Sequence, residues 1–295
     1  MKAAFYKTLT WLSRALGGWI FSLVTWFIAT GYFLCKPRQV RNSIRFYGAL
    51  FPGKTRTSCL KYAWKQYHGF TRVFMDRILL ENSGEIAFTS EGLEHLREAS
   101  VQKTGGIILM SHVGNWEVAV HLLKKLLPEM DLLLYMGIKH KEQIEGIQKN
   151  ELNKAGIRIV AVGPDGGSPF DLVEGINLLK MGGFVSMTGD ILWHKDQRSV
   201  QVQFLDHEVS IPQAPHLLSL LSGKPLFVFF SFRTGKGKFH FKASKPIFVH
   251  AATRSEREQA IRKSAQKYAD ILQENVQEYP VQWHHFEPFL GTKIL

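Results

Sequence analysis

The chain has 295 residues, 45% of them hydrophobic and 21% charged, which is long enough for a sizeable core and excludes global disorder. Its two cysteines, Cys35 and Cys59, lie far apart and lack Cys or His neighbours at zinc spacing, which excludes a disulfide framework and a cysteine-based zinc site. The net charge of +12 would suit nucleic acid, but no helix-turn-helix, zinc-finger or RNA-recognition signature accompanies it.

Residues 17–35 form a run of 19 residues without a charge. About 20 residues span a bilayer core, so a membrane helix is predicted, with Trp19, Trp26 and Tyr32 as interfacial aromatics. Ser22, Thr25 and Thr30 leave open a helix lying in the interface instead. Between residues 36 and 77 stand ten Lys/Arg and one acid, Asp76, which is +9 of the chain's +12. Such a segment is attracted to anionic lipid by about 1 kcal/mol per basic residue and keeps its side of the membrane cytoplasmic. The expected organisation is a membrane anchor (1–35), a basic amphipathic helical segment (36–80) and a catalytic domain (81–295). A helix is expected over 55–80, with a boundary at 82–84.

Alternation follows from there. Strands are predicted at 105–111, 132–136, 157–162, 184–188 and 226–232, the last with a hairpin partner at 238–243. Helices are predicted at 91–100, 118–127, 139–154, 169–180, 212–221 and 253–278. The fold class is α/β, a mixed, mostly parallel central sheet flanked by helices, with the membrane-anchoring helix in front.

The most informative stretch is His112-Val113-Gly114-Asn115-Trp116-Glu117, which leaves a buried strand and opens a helix. It puts an imidazole at the carboxyl edge of the sheet, where open α/β folds place ligands. A tight connection through Gly114 would let Glu117 reach a ring nitrogen of His112, leaving the other as general base. Backbone N–H groups near Gly114, or a basic side chain, are candidate oxyanion donors. Asp190, ending a strand, and Arg198 beyond it are candidates for binding substrate, Arg198 for a phosphate or phosphopantetheine anion. No Gly-x-Ser-x-Gly elbow exists, which argues against a serine esterase. Asp165-Gly166-Gly167-Ser168 could cradle a phosphate but reads as a plain turn, Asp206-His207-Glu208 reads as a hairpin tip, and His284-His285 lacks metal-ligand partners.

Ser111-His112-x-Gly114-Asn115-Trp116-Glu117 after a hydrophobic strand resembles the His-x4-Asp/Glu motif of the lysophospholipid acyltransferase superfamily. It is most similar to the late lipid A (lauroyl/myristoyl) acyltransferase branch of Gram-negative bacteria. Val185 to Asp190 followed by Arg198 and Val202-Gln203-Phe204-Leu205 is similar to a second block of that branch, and Pro280-Val281-Gln282-Trp283-His284-His285-Phe286 to its closing block. The resemblance implies acyl transfer from an acyl carrier protein or coenzyme A thioester to a lipid hydroxyl, at the cytoplasmic face of the inner membrane. His112 and Glu117 would be catalytic, and Gly114, Asn115, Asp190 and Arg198 would bind substrate. No metal or organic cofactor is required, and the acceptor is left open between a lipid A precursor and a lysophospholipid. A lipid ester hydrolase using the same pair, and a non-catalytic lipid-binding protein, are the alternatives.

Overall fold

The computed structural model describes residues 8, 18–81, 86–137, 157–162, 169–193 and 196–294. The helix expected over 139–154, the loop at 165–167 and the boundary at 82–84 lie outside them.

Among the described residues, three helices precede the sheet in full: α1 (Gly18–Cys35), α2 (Pro37–Leu50) and α3 (Arg56–Glu81). The first two are separated at Lys36, where Pro37 holds the preceding residue out of the helical region, and they meet at 90°. Among the described residues no single helix is long and apolar enough to cross a membrane; α1 and α2 meet that measure only as a bent pair. One side of α1 also packs against the protein. Phe21, Thr25 and Ala29 of α1, spaced one turn apart, are buried, and Trp26 and Phe33 meet Trp64 and Tyr67 of α3 edge to face. Trp19, Leu23, Phe27 and Leu34 remain exposed.

Among the described residues the central sheet has seven strands: β1 (Ala87–Glu91), β2 (Gly106–Met110), β3 (Leu132–Gly137), β4 (Arg158–Val162), β5 (Phe184–Thr188), β8 (Leu226–Gly235) and β9 (Lys238–Ala243). Their spatial order is β1-β9-β8-β2-β5-β3-β4. From β8 to β4 every neighbour is parallel; the β8–β9 hairpin is antiparallel, and β1 runs parallel to β9. A separate ribbon pairs β6 (Ser199–Phe204) with β7 (His207–Pro212) through Leu205 and Asp206, both at positive φ. Two successive residues there are what a tight hairpin turn matching strand twist requires.

Helices cover both faces. They are α4 (Leu93–Val101), α5 (Trp116–Leu126), α6 (Pro169–Lys180), α7 (Ala214–Ser222) and α8 (Arg257–Glu278). Strand β2 is buried over its whole length, and its side chains alternate between two cores. Ile107 and Leu109 join a core with Leu218, Ala265, Tyr268 and Phe204, whereas Ile108 and Met110 join one with Leu96, Val118 and Leu123. This buries the continuous apolar run of a parallel strand on both sides and fixes the point at which the chain emerges as Ser111-His112.

Candidate active site

His112 leaves the carboxyl end of β2 beside Asp190, which follows the neighbouring β5. Gly189 N–H donates to the Met110 carbonyl at 2.8 Å, extending the pairing and bringing Asp190 alongside. The His112 backbone N–H then donates to Asp190 Oδ2 at 2.8 Å, and His112 Nδ1 lies 2.9 Å from Oδ1. Trp283 Nε1–H donates to the same Oδ2 at 2.9 Å. Burial alone would raise the Asp190 carboxyl, but His112, His285 and the Trp283 donor outweigh it and bring it to about 2. The group is therefore an ionised acceptor, so Nδ1 carries the proton and Nε2 holds the lone pair. No described residue hydrogen-bonds Nε2, and the imidazole is 24% exposed. A tautomer fixed on a buried carboxylate, with one accessible basic nitrogen, is a general-base arrangement.

The carboxylate expected to orient His112 is a different one. Glu117 is 3% exposed and forks onto Arg77 of α3, with Nε 2.9 and 3.0 Å from its two oxygens and Nη2 2.8 Å from one. The helix that opens at Trp116 places Glu117 in its first turn facing α3, and a guanidinium matches both carboxylate oxygens at once. Asp190 likewise is not a surface contact for substrate: it is 1% exposed, with both oxygens engaged.

Gly114 has φ +75°, and a Cβ there would lie 2.0 Å from the Ser231 carbonyl oxygen. Two of the backbone N–H groups near Gly114, candidate oxyanion donors, are committed within the protein. Gly114 N–H donates to the Gln282 carbonyl and Asn115 N–H to that of Ser231, each at 2.8 Å. The Asn115 side chain caps α5 by accepting from the Val118 N–H at 3.4 Å and touches Asp76, whose other oxygen accepts from Arg233 Nε at 3.0 Å. Burial raises the Asp76 carboxyl against the opposing pull of Arg233 and Asn115. Consecutive residues of α3, Asp76 and Arg77, thus hold Asn115 and Glu117, the N-cap and a first-turn residue of α5, where the turn after His112 enters the helix.

The C-terminal segment completes the site. His284 N–H donates to the His112 carbonyl at 2.8 Å, and Gln66 of α3 donates to the Trp283 carbonyl at 2.6 Å. Burial, reinforced by the charge of His112, lowers His284 to about 3, and burial chiefly lowers His285 to about 4.

A family model described as bacterial lipid A biosynthesis acyltransferase matches residues 5–291. The chain belongs to that family. None of the curated proteins compared with the chain matches it. Within this acyltransferase, Arg198 is exposed, and among the described residues its guanidinium makes no hydrogen bond or ion pair; its carbonyl accepts from the Gln213 N–H at 3.0 Å. Sequence reasoning missed Asp76, Arg77 and Arg233. Asp76 was legible as the one acid in a basic helix, a position that asks for a buried partner. Trp283 was legible only as part of the closing block of the resemblance.

Proposed function

We propose that this member of the acyltransferase family moves a fatty acyl chain from a thioester, on acyl carrier protein or coenzyme A, to a hydroxyl of a lipid A-like acceptor. The observation that carries the reading is the His112–Asp190 pair at the carboxyl edge of parallel strands, with Nε2 open. The acceptor hydroxyl gives its proton to Nε2 as its oxygen attacks the thioester carbonyl. Asp190 stabilises the resulting imidazolium and keeps Nδ1 protonated. The tetrahedral intermediate expels the thiolate, which takes the proton back from Nε2 as a thiol and leaves an ester and a free base. Glu117, through Arg77, holds the turn that presents His112.

The exposed apolar side of α1 next to the basic residues of α2 (Arg38, Arg41 and Arg45) supports attachment to an anionic membrane, with α1 lying in the interface and the sheet on the cytoplasmic side. Incubating the purified protein with a radiolabelled acyl thioester and a lipid A precursor tests the chemistry. An acceptor heavier by one acyl group is expected; release of free fatty acid alone would identify a hydrolase and overturn transfer.

A further inference from the structure

A cavity of about 440 Å³ lies between the α1–α3 helices and the turn after His112. Its floor includes Gly114 and Asn115, and its wall includes His284. Three cations line it: Lys65 and Arg72, seven residues apart on one side of α3, and Arg233 of β8. One carboxylate, Asp76, opposes them. Arg233 gives only its Nε to Asp76, so its two terminal nitrogens have no hydrogen bond among the described residues. Lys65 and Arg72 are exposed, and neither forms an ion pair among those residues. The rim carries the rings of Trp26 and Trp64, 6.2 Å apart, and Trp26 also belongs to the exposed side of α1.

We propose that this cavity is a phosphoryl-binding subsite for an amphiphilic substrate. The excess of positive charge calls for an anion, and unpaired guanidinium nitrogens beside a lysine match phosphate oxygens. The tryptophans suit the apolar part that joins the phosphate, and the turn after His112 borders the same space. The proposal rests on the acyl-transfer reading for its substrate, because both reactants carry a phosphate: the headgroup of the acceptor lipid and the phosphopantetheine arm of the donor. Arg198, the cation expected from sequence to do this, lines none of this cavity.

Binding tests it without turnover, so loss of the His112 mechanism would leave the result standing. Calorimetric titration uses 4′-phosphopantetheine and dihexanoyl phosphatidic acid below its micelle concentration, with pantetheine and dihexanoylglycerol as uncharged controls. Saturable binding of at least one phosphorylated probe and of neither control is expected. The probe that binds identifies donor arm or acceptor headgroup. The double variant Lys65→Ala, Arg72→Ala should bind about tenfold or more weakly, the order lost with a charge-assisted hydrogen bond, at unchanged thermal unfolding. No saturation by either probe, or equal affinity in the double variant, overturns the proposal.

Discussion

His112 offers one nitrogen to Asp190 and leaves the other open, so the two carboxylates near it predict different outcomes. Replacing His112 with Ala should cost about 10² to 10⁴-fold in transfer. Asp190→Asn should be comparably severe, because an amide can present its NH2 to Nδ1 and favour the wrong tautomer. Glu117→Gln keeps a carbonyl acceptor for Arg77, so kcat should stay within about tenfold while stability falls; Glu117→Ala removes the carboxylate that forks onto a buried guanidinium and should cost about 3–5 kcal/mol. Single-turnover rates and urea unfolding of the four proteins separate the roles. A kcat for Glu117→Gln as low as that of Asp190→Asn would place Glu117 in the chemistry.

At the scale of elements, the turn between β2 and α5 is where backbone and function meet. Gly114 at φ +75° packs against the Ser231 carbonyl with no room for a methyl. Gly114→Ala should therefore cost more than the roughly 1–3 kcal/mol of a strained residue and unfold at lower temperature, since β8 must also shift. Thermal melts check this, and an unchanged melt would mean that the turn relaxes freely. The helix pair before the sheet makes a second prediction. Deleting residues 1–35 removes the exposed apolar side of α1 but leaves Arg38, Arg41 and Arg45. The truncated protein should stay on anionic vesicles at low salt and leave them near 0.5 M salt, where the screening length is only about 4 Å. Complete release at low salt would show that the basic residues contribute nothing to attachment.

For the whole molecule, buried titratable groups set the pH range of the fold. His216 is 0% exposed, donates or accepts through Nδ1 with Ser264 at 2.9 Å, and is lowered by burial to about 4. Above its unfolded value of 6.5 the group is neutral in both states and adds no pH dependence. Below 6.5 the unfolded chain takes the proton first, so stability falls by about 1.4 kcal/mol per pH unit until the folded group titrates near 4. His284 and His285, lowered for the same reason, steepen that fall. Asp190 acts at lower pH. Its stabilisation is complete above 3.8 and is lost as pH falls toward 2. Urea unfolding at pH 7 and pH 5 should show the His216 slope, and His216→Gln should flatten it; a wild-type stability constant across that range would contradict the burial argument. Alternating apolar runs with glycine and proline punctuation made most of the sheet and of its helices legible, because periodicity is a local property of the chain. The position of His112 at the carboxyl edge was legible for the same reason. The edge strand β1, exposed along its whole length, carries no such pattern and was missed. The break at Lys36-Pro37 was not anticipated, because a charge-free run hides a proline kink just beyond it, and of the β6–β7 ribbon only the hairpin tip at Asp206 was legible. The partner of His112 was misread for a deeper reason. Glu117 is five residues away along the chain and Asp190 is 78, yet pairing of β2 with β5 brings the distant carboxylate to 2.9 Å. Helix α3 meanwhile claims the near one through Arg77. Sequence carries which side chains are available, whereas contacts between strands and helices far apart in the chain assign each carboxylate to its cation.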